Sequence, residues 1–256
     1  MDLKDFFKEY PKVAIAFSGG CDSAYLSYAA LKYAKEVRAY YVKTAFQPEF
    51  EYEDALRFAK EYSLDVCVIE YDILKEENVC ANPSNRCYFC KQKIFTLIKQ
   101  QAAKDGFEVL LDGSNASDDD ADRPGMKALS ELSVLSPLRL CELTKSDIRR
   151  LSKEAGLFTW DKPAYACLAT RVLTGEKITA DILNITEKAE EYMKTLGFSD
   201  FRVRYREGNA LIQLTREQFG LYEKERPKIE EKLGEYYKDI ILDRTPRQKS
   251  VLNILK

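Results

Sequence analysis

The stretch Val13-Ala-Ile-Ala-Phe-Ser-Gly-Gly-Cys-Asp-Ser23 decides how the rest of the chain is read. Its first five residues are apolar and rich in strand formers, a glycine turn follows, and Ser23 opens a helical pattern that runs to Ala34. Strand, turn and helix in that order build an anion cradle. With no Cβ at Gly19 and Gly20, the backbone N–H groups of Gly19, Gly20 and Cys21 can close on a phosphate, and the helix points its positive end at the same spot. Ser18 and Ser23 add hydroxyl donors. Asp22 is an anion among anion-binding groups, so it either caps the helix or holds Mg²⁺ against the phosphates. The chain contains no G-x-x-x-x-G-K-[ST] and no G-x-G-x-x-G, which leaves out the two commoner nucleotide cradles.

Outward from this stretch, apolar β-rich runs at 37–42, 66–71 and 109–112, with a shorter one at 134–136, alternate with helical patterns at 51–62, 88–104 and 123–132. The alternation predicts an α/β fold, a parallel sheet with helices on both faces and ligands at the carboxyl ends of the strands. Thr144-Lys-Ser-Asp147 reads as a capping box opening a helix that Gly156 ends. After Gly175 the pattern changes to an amphipathic helix over 178–196, a hairpin of 201–205 and 210–214, a charged helix over 217–233 and a last strand at 239–243. The expectation is a nucleotide-binding domain over 1–174 and a small α+β domain over 175–256.

At 256 residues and 45% hydrophobic content the chain can bury a sizeable core. A formal net charge of −2 with interspersed signs argues against bulk nucleic-acid binding. Met1-Asp-Leu-Lys-Asp5 lacks a secretory pattern, and no apolar run approaches the ~18 residues of a membrane span, so a cytoplasmic protein with no membrane partner is expected. There are seven cysteines and no histidine. In a cytoplasmic chain these are thiols, metal ligands or catalytic groups, and any soft-metal site must be all thiolate, or thiolate plus an exogenous ligand.

Cys87 and Cys90 form a C-x-x-C at the start of a helical pattern, which favours low thiol pKa and metal binding. A redox pair, half a zinc site and coincidence in a Cys-rich chain are all open readings. Cys167 is the best third candidate, and three thiolates without histidine suit a [4Fe–4S] cluster with one open iron better than closed structural zinc. Cys80 is a competing ligand; Cys21, Cys67 and Cys141 read as bystanders. After the fourth strand, Asp112-Gly-Ser-Asn-Ala-Ser-Asp-Asp-Asp-Ala-Asp-Arg-Pro-Gly125 is either an ordinary solvated turn or a nucleotide-side loop in which Gly113 and Ser114 can approach the nucleotide and Asp118, Asp119 and Asp122 can hold Mg²⁺ or order the loop; its place at a strand's carboxyl end favours the second. Arg202, Arg204 and Arg206 recur at period two and share one face of a strand, either as a phosphate clamp or as the hairpin's solvent side; Arg171 can reach the same substrate.

Ser18-Gly-Gly-Cys-Asp-Ser23 resembles the signature of the PP-loop ATP pyrophosphatase superfamily. Together with Asn82-Pro-Ser-Asn-Arg-Cys-Tyr-Phe-Cys-Lys91, Asp112-Gly-Ser-Asn115, Asp122-Arg-Pro-Gly125, Ser136-Pro-Leu138, Cys167-Leu-Ala-Thr-Arg171, Arg202 and Arg204, the sequence resembles the LarE family of ATP-dependent sulfur transferases of nickel-pincer nucleotide synthesis. The resemblance runs along nearly the whole chain. It implies adenylation of a pyridinium mononucleotide carboxylate and then sulfur transfer, with ATP, Mg²⁺ and, in a three-cysteine subgroup, a [4Fe–4S] cluster. Under it, Cys87, Cys90, Cys167 and Asp22 are catalytic or metal-holding, Arg171, Arg202 and Arg204 take the substrate phosphate, a sulfide source is a partner, and the protein is a homo-oligomer. Asp243-Arg-Thr-Pro-Arg247 departs from the Gly-Tyr-Arg ending of that family. The alternatives are a tRNA thiolase, an amide ligase of the NAD-synthetase type, and a zinc- or cluster-binding interaction protein without turnover.

Overall fold

The computed structural model describes residues 1–118, 124–163 and 165–247. In chain order the helices and strands are α1 (Leu3–Glu9), β1 (Lys12–Ala16), α2 (Cys21–Tyr33), β2 (Glu36–Lys43), α3 (Glu49–Glu61), β3 (Val66–Glu70), α4 (Glu77–Cys80), α5 (Arg86–Lys104), β4 (Leu110–Leu111), α6 (Pro124–Glu131), α7 (Pro137–Leu140), α8 (Lys145–Glu154), α9 (Ala180–Thr195), β5 (Arg202–Arg206), β6 (Asn209–Gln213), α10 (Phe219–Leu233) and β7 (Ile240–Leu242). The chain divides into two compact units, residues 1–73 with 85–162, and residues 74–84 with the chain from 163 on.

The first unit is an α/β layer with its strands in the order β3-β2-β1-β4, all parallel. Period-two alternation sends the two faces to different cores. Val13 and Ile15 pack with Phe6 and Phe7 of α1, Leu26 of α2 and Ile148 of α8. Ala14 points the other way, with Tyr40 and Val42 of β2, to meet Phe95, Ile98 and Ala102 of α5. Ala39 and Tyr41, back on the first face, meet Ala55 and Phe58 of α3. Every central strand is therefore apolar on both sides, the continuous pattern a covered parallel sheet demands.

The run at 134–136 is a correction to the expected strand count. Leu135 makes only one parallel bridge, to Leu111, with its N–H donating to the Leu110 carbonyl at 3.0 Å. Pro137 lacks an N–H and opens α7 at once, so the pairing stops there. Helix α1 was not expected, although Leu3, Phe6 and Phe7 stand at the i, i+3, i+4 spacing of a buried helix face; Asp2 caps it, accepting from the Asp5 N–H at 2.8 Å.

In the second unit β5 and β6 form an antiparallel hairpin whose two turn residues, Glu207 and Gly208, both have positive φ (50° and 91°). A two-residue turn of that kind matches the right-handed strand twist. Strand β7 returns parallel to β6 after α10. Val203, Ile212, Met193, Tyr222, Ile229 and Leu233 form its core. The early segment 74–84 is stitched into this unit: the Gly175 N–H donates to the Asn82 carbonyl and the Ile178 N–H to the Cys80 carbonyl, both at 2.8 Å.

Candidate functional site

The chain runs outward from β1 through β2 to β3 and then returns to place β4 on the other side of β1. The strand order reverses between β1 and β4, and in open α/β sheets ligands bind outside the carboxyl ends of the strands at that point. The loop after β1 carries Ser18 to Ser23; the loop after β4 carries Asp112 to Asn115. They touch: a Cβ on Gly113 would lie 3.0 Å from the Ser23 nitrogen.

The loop after β1 is held from inside. The buried Ser23 hydroxyl donates to the Gly20 carbonyl at 3.2 Å, accepts from the Ser18 N–H at 3.2 Å, and lies 3.0 Å from the Ser18 hydroxyl, which is exposed. Gly20 is the N-cap of α2 and supplies no side-chain cap, so the helix end presents backbone N–H groups rather than a side-chain oxygen. This fits a phosphate. Gly19 has φ +71°, and a Cβ there would sit 2.9 Å from the Ala55 Cβ and 3.1 Å from its Cα. Gly19→Ala should therefore cost about 1–3 kcal/mol, read as a lower urea midpoint; an unchanged midpoint contradicts the packing described. Cys21 is buried beside the Ser152 hydroxyl at 3.8 Å, and burial pushes its thiol pKa up, which suits an inert side chain.

Asp22 lies in the first turn of α2, where Lys145 at the start of α8 donates to both its carboxylate oxygens at 2.7 and 2.6 Å. The Asn115 side-chain amide donates to it at 3.5 Å. A divalent cation on Asp22 has to displace that ammonium. Asp112 is buried and accepts from the Ser114 and Ser136 hydroxyls at 2.5 and 2.6 Å, which occupies Ser114 within the loop. Asp118 orders the loop by accepting from the Asn115 N–H at 3.0 Å. Asp119 and Asp122 lie outside the described residues.

Helix α5 ends at the amino edge of the sheet, because Asp105 just beyond it pairs with Arg38 of β2 at 3.1 Å and Phe107 stacks under Lys12 of β1 at 4.7 Å. Its start therefore lies at the carboxyl edge, about 28 Å away for 19 residues. Cys87, exposed, and Cys90, half-buried, stand one turn apart there, with the Arg86 guanidinium 3.9 Å from the Cys87 sulfur. Lys91 of the same turn meets the start of α6, where a Cβ on Gly125 would lie 2.7 Å from its Cδ. A pair of thiols on one helical face suits a soft metal. Within either unit, among the described residues, no three His, Cys, Asp or Glu side chains gather to hold a metal ion.

The remaining predicted residues belong to the second unit. Cys167 precedes a tight turn, Leu168–Arg171, and its carbonyl accepts from the Thr170 N–H at 3.0 Å and the Thr170 hydroxyl at 2.8 Å. Arg171 is 1% exposed. It donates to both oxygens of Glu190 at 2.6 and 3.1 Å, to the Ala166 carbonyl at 3.1 Å and to the Thr170 hydroxyl at 2.8 Å, so it is committed to holding its own segment. The Tyr165 hydroxyl also donates to Glu190, at 2.6 Å. Arg204 and Arg206 donate to the Thr170 and Arg171 carbonyls at 2.6 and 3.2 Å, which turns the arginine face of β5 towards the cysteine-bearing segment.

Burial and the neighbouring Arg171 and Arg247 push the Arg202 guanidinium down to about 10. Burial, then Arg206 and Arg171, lowers Arg204 in the same way. Crowded, partly desolvated cations of this kind favour an incoming anion. Sequence reading passed over Lys145, hidden inside a capping box, and Glu190, a charged residue on the buried face of α9 beside Ala189 and Met193.

No protein-family profile matches the chain. Among curated proteins it is 35% identical over 219 residues to an uncharacterized protein of Synechocystis sp., covering 85% of this chain and 81% of that one. It is 31% identical over 215 residues to the pyridinium-3,5-bisthiocarboxylic acid mononucleotide synthase of Lactiplantibacillus plantarum, covering 83% of this chain and 78% of that protein. A tRNA-specific 2-thiouridylase MnmA of Thermotoga sp., a PP-loop protein, is 26% identical over 274 residues, covering 88% of this chain and 74% of its own. No helix among the described residues is long and apolar enough to cross a membrane. The sheet topology, the loop that ends β1 and these relatives agree: the chain belongs to the LarE family, enzymes of sulfur transfer on a PP-loop fold.

Proposed function

We propose that the protein adenylates a carboxylate of a pyridinium biscarboxylic acid mononucleotide with ATP and then replaces a carboxyl oxygen by sulfur. The observation that carries this is the meeting of the β1 and β4 loops at the reversal of strand order, with the Cys87–Cys90 turn at the same sheet edge. A carboxylate resists sulfur attack because oxide is a poor leaving group. Its oxygen attacks the α-phosphorus of ATP, the bond to the β-phosphate's bridging oxygen breaks, and pyrophosphate leaves. A sulfur nucleophile then attacks the acyl carbon and AMP departs.

In this reading the Gly19, Gly20 and Cys21 backbone N–H groups with Ser18 bind the phosphates, Gly113 lets the β4 loop close on them, and Asp22 holds Mg²⁺ once Lys145 yields. Arg202 and Arg204, in the 175–256 part of the chain, bind the substrate's own phosphate. Cys87, Cys90 and Cys167 would hold a [4Fe–4S] cluster of the three-cysteine subgroup, which when bound supplies the sulfur nucleophile. Incubation with MgATP and the pyridinium carboxylate should release pyrophosphate and AMP in equal amounts. Release with tRNA and not with the pyridinium nucleotide would transfer the reading to a tRNA thiolase, whose binding weakens steeply with salt.

A further inference from the structure

The Gly19–Gly20 peptide can present either of two faces to a phosphate. Two adjacent glycines let the peptide plane turn over at little cost, and in a trans peptide the carbonyl and the following N–H point in opposite directions. One orientation offers an anion the Gly20 N–H. The other offers it the Gly19 oxygen, which repels it.

Lys162 selects between them. Its ammonium reaches the Gly19 carbonyl at 3.4 Å, and donates to Glu51 and Asp54 of α3, each at 2.8 Å. The side chain is 11% exposed, so water does not compete strongly for it. The backbone that carries it is itself fixed: Arg149 of α8 donates to the Trp160 carbonyl at 2.6 Å and to the Lys162 carbonyl at 2.9 Å. With the Gly19 oxygen held toward Lys162, the Gly20 N–H points the other way, where it donates to the Ser18 hydroxyl at 3.4 Å. We infer that Lys162 is a positioning residue for ATP, holding the Gly19–Gly20 peptide with its N–H toward the phosphates. The inference rests on the proposed ATP site and deepens it.

Calorimetric titration of wild type, Lys162→Met and Lys162→Arg with MgATP, and separately with inorganic pyrophosphate, tests it. Lys162→Met should raise Kd for both at least about tenfold, while Lys162→Arg, which keeps the carboxylate pairs but misplaces the donor, should raise it less. Thermal midpoints without nucleotide are measured in parallel. A lower midpoint with wild-type affinity in Lys162→Met would show a structural cation only and overturn the inference. If Lys162→Met does not fold, the variant combined with Glu51→Gln and Asp54→Asn removes the stranded carboxylates and carries the same expectation. Wild-type protein that binds neither ligand overturns the ATP site itself, a result distinct from variants that bind as well as wild type.

Discussion

Replacing Arg171 by methionine lowers the unfolding free energy by about 3–5 kcal/mol, the cost of leaving one partner of a buried ion pair uncompensated. Arg171 and Glu190 have side chains 1% and 3% exposed. Without the guanidinium, Glu190 keeps the Tyr165 hydroxyl and the Val203 N–H, at 2.6 and 3.0 Å, and loses its bidentate cation. The Ala166 carbonyl loses its donor as well. Urea unfolding followed by circular dichroism reads the change. Arg171→Met with Glu190→Met should recover most of the loss, because two apolar side chains bury no charge. A single-variant loss below about 1 kcal/mol would mean that water reaches the pair.

Alanine at Cys87, Cys90 or Cys167 separates the two halves of the proposed reaction. Each variant should still release pyrophosphate on first turnover, since the phosphate loop and its hydroxyls are untouched. Thiocarboxylate should fall by about three orders of magnitude or more, because the sulfur donor is the only nucleophile in that half of the reaction. Mass spectrometry of the product reads oxygen-to-sulfur exchange, and a rapid-quench assay reads pyrophosphate. Cys67→Ala on β3 and Cys141→Ala just after α7 serve as controls with wild-type product. If the three variants make thiocarboxylate normally, the cysteines are incidental and the sulfur nucleophile does not depend on them.

Much of the first unit was legible because its signals are local. The Ser-Gly-Gly turn announces itself by its own chemistry, and strands 12–16, 36–43 and 66–70 fall within about a residue of the apolar runs that predict them. The capping box Thr144–Asp147 is present as read. What stayed hidden depends on partners far away in sequence. Asp22 offered two readings, cap or metal holder, and nothing in its neighbourhood named Lys145, which 123 positions separate from it. The arginines of β5 showed the right period, but only the fold shows that their face meets the carbonyls of Thr170 and Arg171. The strand at 134–136 failed because β-propensity cannot supply the partner N–H that Pro137 lacks.

The stitching of residues 74–84 into the second unit bears on synthesis. This segment leaves the ribosome before any of the chain from 163 on, to which Asn82 and Cys80 bond, has been made. At the ~5–20 residues per second of translation it waits several seconds for Leu173, Gly175 and Ile178. During that interval Val79 and Cys80, 1% and 4% exposed in the finished protein, have no core to enter. The wait leaves this short segment open to chaperones and proteases for those seconds. A chain whose synthesis stops before residue 163 should therefore be open to cleavage within 74–84.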